Sequence, residues 1–286
     1  FVNSLRHIED AEEMAKLLEK EKKQFAGKEL LGKTIGIVGL GAIGSLVADV
    51  ALALGMNVIG YDPALSIEAA WKLSSQVRRM ESLEALLSEV DYVSLHVPAI
   101  PATHHLINAE VLKLMKPNAV ILNFARATIV DPHAIVSALD SGSLGQYICD
   151  FPEPCLIGHK KIIAVPHIGA STAEAEENCA IMAVNQLVDY LENGNINNSV
   201  NFPATSMPRD SSVCRVTFTN KNLPGVLGNL LSIFAENNVN VIDMVNKSRG
   251  DVAYNILDLE VQPSEEVAEL IQAVEHIFSL RIIAPV

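Results

Sequence analysis

Positive charge is scarce in this sequence. It contains 21 lysine and arginine residues against 34 aspartate and glutamate residues, which gives a formal net charge of −13. Nucleic acids and anionic membrane surfaces bind proteins mainly through clustered lysine and arginine. We therefore expect neither a nucleic acid nor a membrane as a partner. An anionic small substrate is not excluded, because the local charge of a site decides its binding.

Cysteines and long apolar runs are scarce as well. The four cysteines, Cys149, Cys155, Cys179 and Cys214, form no CxxC pair. We expect free thiols in a reducing cytoplasm, and no metal site. No apolar run reaches the roughly 18–20 residues of a membrane span, and no signal peptide is recognisable. The sequence opens on a charged helical segment without a first strand, so we expect an N-terminal truncation inside a domain.

Short apolar runs alternate with helical patterns from Thr34 onward. This alternation predicts an α/β domain with a doubly wound parallel sheet, the Rossmann arrangement, covered by helices on both faces. A helix is predicted to begin at Asp131, with Pro132 in its first turn and Gly142 beyond its end. The predicted strands lie at 34–41, 57–62, 91–98, 119–125, 145–151 and 161–169.

The last third of the sequence predicts a second unit. A long helix is expected over 173–193, ending at Gly194, because apolar residues recur there at helical spacing. An Asn-, Ser- and Pro-rich stretch follows and is typical of a connector. The remainder alternates as βαββαβ, the order of a ferredoxin-like domain, with a hairpin around Arg249-Gly250-Asp251.

A dinucleotide-binding motif follows the first predicted strand. Gly39, Gly41 and Gly44 form a GxGxxG that opens a helix, and Asp62 lies 23 residues after Gly39, at the end of the second strand. The glycines permit a tight turn, a close approach of the backbone to a pyrophosphate, and close packing of helix and strand. Asp62 can bind both ribose hydroxyls and would repel a 2′-phosphate. The sequence therefore predicts NAD rather than NADP as the cofactor.

Four polar side chains follow the later predicted strands. Arg126 follows one strand, Asp150 and Glu153 follow the next, and His167 follows the last. Ligands of open parallel sheets bind outside the carboxyl ends of the strands, so we expect these side chains to share one edge near the nicotinamide. An arginine there can bind a carboxylate through two hydrogen bonds. A histidine can exchange a proton, and a carboxylate can orient that histidine.

These motifs together resemble the NAD-dependent D-2-hydroxyacid dehydrogenases, and most of all the branch that oxidises D-3-phosphoglycerate and carries a C-terminal ACT domain. The similarity extends over nearly all of 32–286. One departure is Ala127, where the family usually has glycine; a positive φ there would cost alanine about 1 kcal/mol or more. The matching segments occur in the family's order: VGLGAIG, YDP, SLHVP, NFAR, VD, CDFPEP and PHIGAST.

The resemblance implies a role for each site residue. Arg126 would bind the substrate's carboxylate and keto oxygen, His167 would be the general acid and base, and Glu153 would be the partner of His167. Asp150 would bind the carboxamide of the nicotinamide. The other NAD contacts that the resemblance implies are Ala42, Ile43, Asp62, Phe124, Ala125, Arg126, His167, Ile168, Gly169 and Ala170.

The C-terminal unit resembles an ACT domain, a small amino-acid-binding module. In relatives a site between two subunits binds L-serine, and the matching positions are Asn220, Asn222 and Asn240. Relatives often have histidine at the position of Asn220. The resemblance implies serine as an effector and a homodimer or homotetramer as the assembly. A dimerising module without a ligand is the open alternative.

We therefore expect oxidation of D-3-phosphoglycerate to 3-phosphohydroxypyruvate, the first step of L-serine synthesis. Two alternatives stay open: a dehydrogenase of glyoxylate, hydroxypyruvate or another 2-hydroxy acid, and an NAD-binding amino-acid sensor without useful catalysis. The expected domains are a substrate-domain remnant (1–33), the NAD-binding domain (34–172), a return helix to the substrate domain (173–196), a linker (197–211) and the ACT domain (212–286).

Overall fold

The chain divides into two compact units after Ile168. A computed structural model describes residues 10–21 and 27–285. Of the predicted N-terminal helix, Ala11–Glu21 is helical, and residues 1–9 and 22–26 lie outside the described residues. No helix within the described ranges is both long and apolar enough to cross a membrane.

The first unit contains a seven-stranded parallel sheet, as predicted. The strands lie in the order β3-β2-β1-β4-β5-β6-β7, so the strand order reverses direction between β1 and β4. This arrangement confirms the doubly wound Rossmann class. The strands are β1 Thr34–Val38, β2 Asn57–Tyr61, β3 Arg78–Arg79, β4 Tyr92–Leu95, β5 Val120–Asn123, β6 Gln146–Cys149 and β7 Ile162–Ala164.

The helices of this unit begin at capping residues that the sequence supplies. The side chain of Ser82 accepts a hydrogen bond from the Ala85 N–H, and Asp131 accepts from the N–H groups of His133 and Ala134. These bonds satisfy donors that the first helical turn leaves free. The helices are α1 Ala11–Glu21, α2 Ala42–Ala53, α3 Ile67–Lys72, α4 Leu83–Glu89, α5 Ala109–Leu112 and α6 Pro132–Asp140.

The largest apolar core of the first unit packs helices α4 and α6 against the sheet. Leu86 and Leu87 from α4, Ile121 from β5 and Ile135 from α6 are fully buried in one cluster. The apolar strand residues of this cluster are buried beneath these helices. The carboxyl ends of β1, β5, β6 and β7, and the loops that follow them, are thereby fixed relative to one another.

The second unit contains a four-stranded antiparallel sheet in the order β11-β8-β10-β9. The element order is βαββαβ, which confirms the predicted ferredoxin-like class. One face packs on the two helices through Val216, Phe218, Leu230, Phe234 and Ile271. The elements are β8 Cys214–Lys221, α8 Val226–Glu236, β9 Val241–Arg249, β10 Val252–Leu259, α9 Glu265–Gln272 and β11 Ile277–Ile283.

A long helix and the polar stretch after it belong to the second unit. Helix α7 spans Ala173–Asn193 and ends at Gly194, as predicted. In the following stretch, Ile196 and Met207 are buried against Tyr254 and Ile256 on the other face of the sheet. The stretch joins α7 to β8, as a connector should, but it is packed rather than extended in solvent. The domain boundaries drawn from the sequence stay a prediction.

Candidate active site

The glycine motif forms a tight turn between β1 and α2. Gly39 has a φ of +89°, and a Cβ built on it would lie 2.6 Å from the backbone oxygen of His96. A Cβ on Gly44 would lie 1.9 Å from the backbone oxygen of Gly39. Both positions therefore require glycine, the first for backbone conformation and the second for close packing of helix on loop.

Gly41 is different, because the space around it is open. A Cβ built on Gly41 meets nothing within 4 Å. Gly41 is the N-terminal capping residue of α2, so the free N–H groups of the first turn surround this space. Ala42 is exposed and Ile43 is 67% exposed beside it. A pyrophosphate fits such a place, since it requires N–H donors, the positive end of a helix dipole and room for close approach.

Asp62 is tied to the glycine motif by hydrogen bonds. Its Oδ2 accepts from the Leu40 N–H at 2.8 Å, and its Oδ1 accepts from the Ala64 N–H at 2.9 Å. Each carboxylate oxygen has a second lone pair available. The carboxylate is therefore held in a fixed orientation at the end of β2, with acceptor capacity left for ribose hydroxyls.

Asp150 lies at the end of β6 and carries an unpaired buried oxygen. The residue is 8% exposed, and its Oδ1 has no hydrogen-bond partner among the described residues. A buried carboxylate oxygen without a donor is costly unless a ligand supplies one. The NH₂ group of a nicotinamide carboxamide is such a donor. The residues present at both ends of the site thus fit the dinucleotide that the sequence predicts.

Arg126 is carried by a turn that Asn123 organises. The Asn123 side chain is fully buried; its Nδ2 donates to the Arg126 backbone oxygen at 3.0 Å and to the Tyr147 hydroxyl at 3.1 Å. Its Oδ1 accepts from the Ala125 N–H at 3.2 Å. Phe124 is 43% exposed on the same turn. One buried amide therefore fixes the backbone from which the Arg126 side chain extends into solvent.

Arg126 and His167 both contact the ring of Phe151. The guanidinium carbon of Arg126 lies 5.4 Å from the ring centroid, and the His167 ring centroid lies 4.3 Å from it at an interplanar angle of 41°. Both polar side chains are exposed. The structure thus brings together the predicted carboxylate-binding group and the predicted acid and base, through a residue that the sequence analysis did not include.

Glu153 precedes a short 3₁₀ turn, Pro154–Leu156, and is not paired with His167 in the described residues. In the described part of the chain, no hydrogen bond or ion pair joins Glu153 to His167; the Glu153 backbone oxygen accepts from the Leu156 N–H at 2.9 Å. Its charge acts instead on Tyr147, whose pKa is raised chiefly by burial and also by the Glu153 carboxylate. The assignment of Glu153 as the partner of His167 stays a prediction.

Two neighbouring positions, Ala127 and Cys149, are placed clearly by the structure. Ala127 begins a short 3₁₀ turn and does not have a positive φ, so alanine costs no backbone strain there. Cys149 is fully buried, and burial raises the pKa of its thiol, which fits packing rather than reactivity. Ile168 is exposed after His167, and Gly169 and Ala170 begin the second unit.

The three candidate effector residues do not meet within one chain. Asn220 is buried at the end of β8, where its Oδ1 accepts from Asn255 at 2.7 Å. Asn222 donates to the Gly250 oxygen at the same end of the sheet. Asn240 precedes β9 at the opposite end, because Val241 pairs with Leu259 whereas Asn220 pairs with Ala253. Roughly 25 Å of strand separates Asn220 from Asn240.

Sequence reasoning missed Asn123, Tyr147 and Phe151. Asn123 and Phe151 stand within the motif segments NFAR and CDFPEP, next to residues that were chosen for their charge. Their position was a usable signal for a role in the site, because each lies at the same strand end as a charged site residue. The contact between Asn123 and Tyr147 joins two strands and had no signal in the sequence.

Comparison with known proteins places this site in a family. Residues 1–169 match the family described as D-isomer specific 2-hydroxyacid dehydrogenase, NAD binding domain. The chain is 35% identical over 273 residues to D-3-phosphoglycerate dehydrogenase of Haemophilus influenzae, covering 92% of this chain and 65% of that protein. It is 41% identical over 204 residues to D-3-phosphoglycerate dehydrogenase of Synechocystis sp., covering 69% of this chain and 36% of that protein.

The fold has a solved counterpart in the same family. The structure of D-2-hydroxyisocaproate dehydrogenase superimposes with a TM-score of 0.56 at 30% identity, covering 64% of this chain and 61% of that one. The chain spans less than two thirds of the length of both curated relatives. With its glycine motif, Asp62, Arg126 and His167 in the family's order, the chain belongs to the D-isomer specific 2-hydroxyacid dehydrogenases and carries their NAD-binding domain.

Proposed function

We propose that the protein oxidises D-3-phosphoglycerate to 3-phosphohydroxypyruvate with NAD. The observation that carries the proposal is the convergence of Arg126 and His167 on Phe151, at the strand ends that also present Asp150. This pair of side chains suits a 2-hydroxy acid, which offers a carboxylate beside a hydroxyl. The phosphoglycerate substrate is favoured because curated relatives at 35% and 41% identity are D-3-phosphoglycerate dehydrogenases.

Arg126 binds and orients the substrate in this mechanism. Its guanidinium can donate two parallel hydrogen bonds to the carboxylate, or share its donors between the carboxylate and the C2 oxygen. The Asn123 side chain donates a hydrogen bond to the backbone oxygen of Arg126 and so fixes the backbone there. A fixed backbone limits the loss of freedom when the substrate binds, and that favours a reactive geometry.

His167 moves the proton. A neutral imidazole accepts the proton of the C2 hydroxyl during oxidation, and the imidazolium returns it in the reverse direction. The redox chemistry, acceptance of the hydride from C2, would be supplied by NAD when it is bound. Asp62 would hold the adenosine ribose and disfavour a 2′-phosphate, and Asp150 would hold the carboxamide of the nicotinamide. We propose Glu153 as the carboxylate partner of His167 in the substrate-bound enzyme.

A different 2-hydroxy acid is the second candidate substrate. The observation that favours it is the solved counterpart, a D-2-hydroxyisocaproate dehydrogenase at 30% identity. Arg126 and His167 recognise the part of the substrate that all 2-hydroxy acids share, so these residues do not separate the candidates. A substrate with a phosphate group and one with an apolar side chain must be compared directly.

A substrate panel tests the proposal. NADH formation is measured with the 286-residue chain, NAD in excess, and D-3-phosphoglycerate, D-2-hydroxyisocaproate, glycolate or D-glycerate at mildly alkaline pH. We expect the highest kcat/KM with D-3-phosphoglycerate, and its loss in Arg126→Ala and His167→Ala while NADH still binds. Turnover of an apolar acid alone would favour the second candidate. A folded chain that binds NADH and turns over nothing would support a non-catalytic NAD-binding sensor.

We also propose a role for the second unit as a serine-binding ACT domain in a homodimer or homotetramer. The separation of Asn220 and Asn222 from Asn240 within one chain suits a site completed by a second copy. Calorimetric titration with L-serine, with D-serine as the control, tests the effector. Light scattering tests the assembly; a monomer that binds no serine would contradict both parts. The free thiols favour a cytoplasmic location.

A further inference from the structure

We propose that Phe151 is a positioning residue that sets the guanidinium of Arg126 and the imidazole of His167 for one and the same substrate molecule. The inference rests on the proposed function, because it gives Phe151 a task in the oxidation of a 2-hydroxy acid. Its structural basis is the pair of contacts from one ring, 5.4 Å to the guanidinium carbon and 4.3 Å to the imidazole centroid.

A neutral ring suits Arg126 better than a carboxylate would. The face of an aromatic ring attracts a cation through its quadrupole and leaves the guanidinium donors free. A carboxylate partner would occupy those donors and compete with the substrate's own carboxylate. No carboxylate of the described residues forms an ion pair with Arg126; its Nη1 donates only to the Ala125 backbone oxygen at 2.6 Å. Arg126 is therefore held in place without being neutralised.

The same ring constrains His167. A tilted contact at 4.3 Å between centroids is a favourable aromatic arrangement, and it restricts rotation of the imidazole. His167 is exposed and has no carboxylate partner within the described residues, so the ring is the restraint on its orientation that the structure provides. A base that must reach one hydroxyl gains from such a restraint, because misplacement by about 1 Å can cost about a hundredfold in rate.

The backbone of Phe151 is placed to perform this task. Phe151 directly follows Asp150, which is buried at the end of β6. Pro152 comes next and restricts Phe151 to an extended conformation. One strand end thus directs Asp150 toward the cofactor and Phe151 toward the two substrate-binding side chains.

Packing does not account for the ring. Phe151 is only half-buried, and it is not part of the apolar cluster that surrounds β6, although Tyr147, Cys149 and Leu156 on either side of it are. A ring kept out of the core, in contact with two polar side chains, is better explained by those contacts. Substitution by leucine should accordingly leave the fold and NADH binding in place.

The test compares Phe151→Leu, which removes the ring, with Phe151→Tyr, which keeps it. We expect Phe151→Leu to raise KM for D-3-phosphoglycerate about two- to fivefold and to lower kcat about two- to fivefold, the factors that ring contacts of this kind provide. Phe151→Tyr should recover most of both losses. Phe278→Leu makes the same chemical change on an exposed strand of the second unit and serves as the matched control.

Oxalate binding separates this inference from the proposed function. Oxalate is titrated calorimetrically into each variant saturated with NADH, so that the carboxylate contact of Arg126 is measured without turnover. Weaker oxalate binding in Phe151→Leu supports the positioning role even if the parent chain oxidises none of the substrates, which would refute only the proposed function. Wild-type KM, kcat and oxalate affinity in Phe151→Leu would overturn the inference. So would equal losses of NADH affinity and thermal stability, which mark a merely structural residue.

Discussion

The turn between β1 and α2 offers the sharpest test of the cofactor site, through Gly44→Ala. The added methyl carbon would lie 1.9 Å from the Gly39 backbone oxygen, and contacts under 3.0 Å essentially never occur, so the two must separate by about 1 Å. Gly39 cannot yield readily, because the His96 backbone closes in behind it. Overpacking costs about 1–3 kcal/mol, and alanine regains about 1 kcal/mol of helix propensity, which leaves a net loss of about 0–2 kcal/mol.

The larger effect of Gly44→Ala should be on NADH. A shift of about 1 Å moves the N–H groups of the first turn of α2 away from the pyrophosphate, and a loss of about 1.4 kcal/mol in binding is tenfold in Kd. We expect the Kd for NADH, measured by fluorescence titration, to rise about tenfold or more while urea unfolding shows only the small loss in stability.

Gly41→Ala is the matched control for Gly44→Ala, because open space surrounds Gly41 and its φ of −70° suits alanine. Its stability should stay within about 1 kcal/mol of the parent, whereas NADH binding should weaken, since the methyl group occupies room for the pyrophosphate. Wild-type NADH affinity in Gly44→Ala would refute the reasoning. A loss of stability well above about 1 kcal/mol in Gly41→Ala would refute it too.

Three further predictions concern charge. Asp62→Ala should weaken NADH binding about tenfold and narrow the preference for NADH over NADPH, because the carboxylate that would repel a 2′-phosphate is gone. Titration of the variant with both cofactors measures this preference, and an unchanged preference would contradict the prediction. Asp258→Ala should lower the free energy of unfolding of the second unit by about 3–5 kcal/mol, because the fully buried Arg215 loses its counter-charge. Arg215 donates to the Asp258 carboxylate at 2.7 and 2.8 Å. Urea unfolding measures the loss, and a value of about 1 kcal/mol or less would contradict the prediction. Burial lowers the pKa of His96, so the unfolded chain binds a proton at this residue more readily than the folded chain does. Stability should therefore fall as the pH drops below the ordinary histidine pKa of about 6.5. Thermal melts of His96→Gln should show less of this pH dependence.

The sequence predicted the fold well wherever periodicity was long enough to be read. Alternation of apolar runs and helical patterns located six of the strands of the parallel sheet, and helix α7 has the predicted bounds. Helix α3 and strand β3 were missed. Strand β3 consists only of Arg78 and Arg79, both exposed, so it has neither an apolar run nor an alternation to detect. Its place is set by hydrogen bonds to β2, which leave no trace in its own composition.

The site was predictable as far as strand ends determine it. Arg126, Asp150 and His167 follow consecutive strands of the sheet, and the rule for ligand sites in parallel sheets brings them to one edge. What joins them was not predictable, because Phe151 acts through contacts of its ring with residues from two other loops. The pairing of Glu153 with His167 rests on resemblance alone, and the hydrogen bonds of the described residues do not include it.

The polar stretch after α7 is held in place by backbone hydrogen bonds, although its composition is typical of a connector. Its Asn, Ser and Pro residues predict a linker because they bury little apolar surface, yet Arg215 binds the backbone oxygens of Met207 and Pro208 at 2.9 and 2.8 Å. Arg215 also binds the Asn193 oxygen, while Arg209 and Arg281 bind oxygens of the preceding residues in the last turn of α7.

These three arginines satisfy carbonyl groups that the end of a helix leaves free. Every residue carries a backbone oxygen that can accept a hydrogen bond. A polar segment can therefore be held in place through its main chain even where its side-chain pattern predicts a flexible linker. Helix α7, the polar stretch and the antiparallel sheet therefore form one body. The division of the chain into two units falls after Ile168, beside His167.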